Sequence, residues 1–210
     1  MLKSKLKKFI AASLIVLTSL SFFSSTSFAY DANSKADRYF GGNLTAGINR
    51  PAWYHSSVAS YGYTSHFDSA RAYWNNNTPV NIWKWDQANN STDRYYVGTT
   101  YQGAGNLNIT GAQGAYKVVN GVAVSATNNE NWNYSTVTIY HNAMASKNYD
   151  RGKANATAAH EVGHSIKFAH TPLNWLGQEY VDSVMRSDDY SMKAITTSYD
   201  LDTVHQKWGY

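Results

Sequence analysis

Cysteine is absent from the 210-residue chain. An exported protein has the option of disulfides, so a cysteine-free one relies on packing and on any metal that other side chains hold. A hydrophobic run of membrane length is missing too. Residues 9–23, FIAASLIVLTSLSFF, are apolar, but a spanning helix needs ~20 such residues. Ahead of that run lie Lys3, Lys5, Lys7 and Lys8 with no acid, and behind it Ser27-Phe28-Ala29. Basic, apolar and small segments in that order predict a secretory signal peptide over 1–29, cleaved after Ala29, rather than a membrane anchor.

A lasting charge excess is also lacking. The chain has 18 Lys+Arg and 14 Asp+Glu, and four of the lysines belong to the signal, so residues 30–210 hold 14 of each sign. The basic balance therefore reports the signal and predicts neither nucleic acid nor an anionic membrane as partner. No internal repeat, low-complexity linker or second domain is visible, and one domain over 30–210 is expected, with 30–45 as a short pro-segment or N-terminal extension.

The pattern along that domain is α+β. A short strand is expected over Ala46–Tyr54, broken by Pro51. Phe67, Ala70 and Trp74 fall on one face of a helix that Thr78-Pro79 ends. Strands follow at Val80–Trp85 and Arg94–Thr100, then a glycine-rich loop, then strands at Gly121–Ala126 and Ser135–His141. Ala154–Phe168 reads as a helix. A last helix begins at Thr197, whose hydroxyl can cap it with Asp200 three residues on, and turns Leu201, Val204 and Trp208 inward.

The chemistry concentrates in His160-Glu161-Val162-Gly163-His164-Ser165-Ile166-Lys167-Phe168-Ala169-His170. Histidines four apart on a helix project from one face, so both imidazoles reach one metal. Zinc suits two imidazoles and a third ligand with a position left for water, and Glu161 beside the first ligand can take a proton from that water. A helical histidine pair alone is as often surface decoration. The added glutamate and third histidine, in a chain with seven His and three Glu, make coincidence a poor explanation.

This segment resembles the metzincin clan of zinc endopeptidases, within it a matrixin-like secreted bacterial branch. The clan pattern is H-E-x-x-H-x-x-G-x-x-H followed by a methionine turn, and Ser183-Val184-Met185 resembles that turn. From about residue 45 onward, Ala70-x-x-x-Trp74 with Thr78-Pro79-Val80, the Gly121–Ala126 strand and the closing Trp208-Gly209 also match. The resemblance implies a twisted five-stranded mixed sheet with three helices and a zinc cleft. It implies one catalytic Zn2+ on His160, His164 and His170, Glu161 as base, and Met185 as a hydrophobic floor beneath the metal. It further implies an extended peptide or protein substrate added to the sheet edge at Gly121, Val122, Ala123 and Val124. Tyr190 and Tyr199 are candidates for the wall of the pocket beyond the scissile bond. A secreted, extracellular monomer is expected.

Two positions depart from the pattern. Lys167 stands where the family has a glycine, at a sharp break that costs a lysine ~1–2 kcal/mol in left-handed geometry, and Glu179 is the alternative third ligand. Ser187 stands where astacin-like and serralysin-like members carry a metal-reaching tyrosine. No cysteine exists with which a pro-segment could block the zinc; Asp31 or Asp37 would have to do so. His55, His66, His141 and His205 are read as hydrogen-bonded or exposed rather than as a second zinc site. Ca2+ stays open, because no oxygen-rich loop of known spacing is present. The 17 Tyr and 7 Trp fit a packed core and also a sugar-stacking surface, which keeps a cell-wall or glycan-binding module with an inactive zinc site as the alternative.

Overall fold

The computed structural model describes residues 38–76, 78–101, 106–172, 181–187 and 196–209. The expected signal, Asp31, Asp37, Glu179 and Tyr190 lie outside them. Among the described residues no helix is long and apolar enough to cross a membrane.

Six strands form one sheet: β1 Asn49–Tyr54, β2 Asn81–Trp85, β3 Asp93–Gly98, β4 Gly111–Val119, β5 Val122–Ser125 and β6 Tyr134–Tyr140. Their spatial order is β2-β1-β3-β6-β4-β5. The first four of that row run parallel, and β4 is antiparallel to both β6 and β5. Among the described residues five helices accompany the sheet: α1 Ser56–Ser60, α2 Thr64–Asn75, α3 His141–Ser146, α4 Arg151–Ser165 and α5 Ser198–Trp208.

Against the expected five strands and three helices, the described residues hold six and five. The strand the sequence concealed is β4, which carries Gly111 and Gly114 and read as loop. Glycine in a strand marks close approach by a neighbour. A Cβ at Gly111 would lie 2.6 Å from Glu161 Cγ, and one at Gly114 2.8 Å from Thr136 Oγ1. The added helices are short: His55 caps α1 by accepting from Ser57 N at 3.1 Å, and α3 turns directly out of β6. Pro51 does not break β1; pairing with β3 starts only after it, at Ala52 opposite Asp93.

The core lies between one face of the sheet and α2 with α4. Phe67, Ala70 and Trp74 are all fully buried, which is the face that their spacing predicted. Alanines at 154, 158 and 159 let α4 approach α2 closely, and Trp74 Nε1 donates to the Ala159 carbonyl at 2.8 Å. Asp150 caps α4 by accepting from Lys153 N at 2.8 Å. At its other end α4 stops at Ser165 rather than Phe168, because Lys167 adopts φ 81°.

Candidate metal centre

Helix α4 delivers His160 and His164 from successive turns of one face. The left-handed Lys167 then reverses the chain, and His170 returns to them. The three Nε2 atoms lie 3.0 Å (160 to 164), 3.2 Å (164 to 170) and 3.1 Å (160 to 170) apart. A tetrahedral zinc with bonds of ~2.0–2.1 Å sets its nitrogen ligands about 3.3 Å apart. Among the described residues this is the one cluster of His, Cys, Asp and Glu with such spacing.

The partners of the other ring nitrogens fix the electronics. His160 Nδ1 donates to the Val184 carbonyl at 2.9 Å, and His164 Nδ1 to the Phe168 carbonyl at 2.7 Å. A carbonyl only accepts, so each Nδ1 carries the proton and each neutral Nε2 turns a lone pair to the shared centre. Two such lone pairs converging at this distance, with a third imidazole nitrogen beside them, suit a cation. Burial lowers His160 to about 3, with His170 adding to the effect, and lowers His164 well below the usual imidazole value. Both rings are therefore held neutral, the form that ligates.

Glu161 is 7 % exposed, packed against Gly111 at the head of β4, and burial raises its carboxyl to about 8. Met185 is 2 % exposed, its sulfur packed against Gly163 of the same helix turn as His164. A Cβ at Gly163 would overlap its sulfur and meet Trp74 Cζ2 at 2.8 Å. Glycine in the motif thus admits the methionine.

Asp200 holds the turn that carries Met185. It accepts from Ser183 Oγ at 2.6 Å, Tyr73 hydroxyl at 2.6 Å, Thr197 Oγ1 at 2.9 Å and Val184 N at 3.3 Å. Burial raises its carboxyl and these donors oppose the rise. The sequence placed Asp200 only as a capping neighbour of Thr197, which it also is, since Thr197 Oγ1 accepts from Asp200 N at 3.2 Å. Nothing in a linear motif connects it to a turn sixteen residues upstream.

The remaining predicted residues lie further out. Gly121, Val122, Ala123 and Val124 form the tight turn and exposed strand β5 at the sheet edge. β5 pairs with β4 only from Tyr116 onward. The first part of β4, beside Glu161, has no strand on that side among the described residues. Tyr199 lies half-buried under the Arg38 guanidinium, 4.3 Å from its ring centre. His55 caps α1, His66 pairs with Asn155 Oδ1 at 2.7 Å, and His141 meets the Tyr63 hydroxyl at 3.3 Å.

Fold and site together define a mixed α+β protein with a three-histidine cluster whose spacing is compatible with one metal ion. No protein-family model and no curated protein matches the chain. Among solved structures it is similar to high choriolytic enzyme 1, a hatching enzyme zinc-protease from Oryzias latipes (medaka fish). The identity is 13 % and the TM-score 0.39, with 82 % of this chain and 96 % of that chain covered. That likeness is distant, and the chemistry stands on the geometry of the site.

Proposed function

We propose that this chain is an exported zinc-dependent endopeptidase, metzincin-like and of matrixin-like type. The observation that carries the reading is the convergence of three imidazole Nε2 atoms within 3.2 Å of one another, with a buried glutamate following the first of them in sequence. His160, His164 and His170 would hold the zinc, and Met185 forms the apolar floor under them. Zinc bound there supplies an electrophile that polarises the scissile carbonyl and acidifies water.

Glu161 takes a proton from the attacking water and hands it to the amine nitrogen as the C–N bond breaks. Its raised proton affinity suits both transfers. The peptide lies extended along the sheet edge, its backbone bonded to strand residues, with Val122–Val124 at the outer rim and the open part of β4 nearest the base. Tyr199 contributes to the far wall of the cleft. Ser187 supplies no phenol, so the reaction relies on Glu161 for proton transfer. Export follows from the segment 1–29.

A second reading has one supporting observation: Trp83 and Trp85 on β2 are 38 % and 46 % exposed, as a glycan-stacking surface would have them. Casein hydrolysis by the zinc-loaded chain and by its Glu161→Ala variant separates the two. Cleavage by the first alone supports the peptidase. No cleavage by either, with zinc bound in both, supports the binding module.

A further inference from the structure

The bend that leads to His170 contains Lys167, one of the two departures from the family pattern, and the structure gives that lysine a task. Lys167 is fully buried. Its ammonium donates to three carbonyl oxygens, those of Gly41 at 2.9 Å, Asn128 at 3.2 Å and Glu130 at 2.6 Å. It also lies 3.4 Å from the centre of the Trp132 ring, a cation–π contact that strengthens away from water.

Those carbonyls belong to two segments remote in sequence, one near the start of the described chain and one preceding Trp132. The first runs directly behind the metal ligands. Phe40 N donates to the Lys167 carbonyl at 2.7 Å, and Ala169 N to the Arg38 carbonyl at 3.0 Å. Between these two bonds the Phe168 carbonyl receives His164 Nδ1. The Phe40 ring stacks on the His164 imidazole, with centroids 5.7 Å apart. Lys207 of α5 completes the hold by donating to the Phe40 and Gly42 carbonyls at 3.0 and 2.6 Å.

We propose that Lys167 is a positioning residue for the metal site: its buried ammonium clamps Phe40–Gly42 and the 128–130 turn onto the bend between His164 and His170. A glycine would adopt φ 81° without strain, but it would leave three carbonyls without their donor. The clamp also makes the segment from Arg38 to Asn43 part of the working domain, so any pro-segment removed in maturation must end before Arg38.

The inference rests on the metal-centre reading, and its test separates the two. Zinc affinity is measured by competition with a chromophoric chelator for the full chain and for Lys167→Gly, Lys167→Met and Lys167→Arg. Amide exchange over 39–43 and 128–132 is followed in the metal-free forms. If the parent chain binds no zinc, the metal-centre reading fails, while faster exchange at those two segments in the Gly and Met variants would still establish the clamp.

With zinc bound by the parent, Lys167→Gly should bind it at least tenfold more weakly despite its relaxed backbone. Exchange should rise at both segments and stay unchanged in β3 and β6. Lys167→Arg should recover part of the loss. Unchanged or tighter binding by Lys167→Gly, with unchanged exchange at 39–43, overturns the proposal. So does uniformly raised exchange across β3 and β6, because it would mean global destabilisation instead of a local clamp.

Discussion

The sulfur of Met185 occupies the space that a Cβ at position 163 would need, one residue before His164. The glycine in His-Glu-Val-Gly-His is thus a packing requirement as well as a motif letter. Gly163→Ala must displace either Met185 or the fully buried Trp74. Overpacking of this kind costs about 1–3 kcal/mol. Thermal unfolding of the metal-free variant should show that loss, with weaker zinc binding beside it.

Asp200 couples α5 to the three-histidine cluster through Ser183 and Val184, and Val184 in turn orients His160. Removing an outer partner of this sort costs roughly 10–100-fold in metal affinity. Asp200→Ala should show that drop in a chelator competition. Tyr73→Phe removes one of several donors to the same carboxylate, and its effect should be smaller, about 1 kcal/mol in unfolding free energy.

Gly111 and Glu161 make the next test, because a Cβ at 111 would lie 2.6 Å from both Cγ and Oε1 of the glutamate. Gly111→Ala leaves all three histidines in place but moves the carboxylate. A displacement of about 1 Å at a reacting group can cost ~10²-fold in rate. The expected result is a fall in kcat of that order with zinc content unchanged.

The acid–base balance of the metal-free protein has a definite sign. Glu161 is raised from 4.5 to about 8 by burial. Its contribution to stability is complete below the unfolded value near 4.5 and is lost as pH rises through about 8. His160, lowered from 6.5 to about 3, acts oppositely: its contribution is present above 6.5 and lost as pH falls through about 3. In urea unfolding of the zinc-free chain, Glu161→Gln removes only the first of these. The variant should gain on the parent by a few kcal/mol between pH 4.5 and pH 8.

Much of this site was legible because helical spacing is rigid. Residues four apart on α4 have to share a face, so the meeting of His160 and His164 follows from sequence with little freedom. The face of α2 formed by Phe67, Ala70 and Trp74 was legible for the same reason. The strand β4 was not, since its glycines answer to side chains of Glu161 and Thr136 that arrive from other elements. The hold of Asp200 on Ser183 and the grip of Lys167 on Gly41 were hidden likewise, the latter across 126 positions of sequence. Lys167 was visible as a strained departure; its compensation lay in carbonyls that no pattern marks.

The most direct test is X-ray absorption at the zinc edge of the loaded full-length chain, together with its metal content. One zinc per chain, with three imidazole nitrogens at about 2.0–2.1 Å and one oxygen, is the predicted result, and His170→Ala should reduce the nitrogens to two. Fewer than three imidazoles in the parent, or a six-coordinate oxygen-rich shell, would contradict the account.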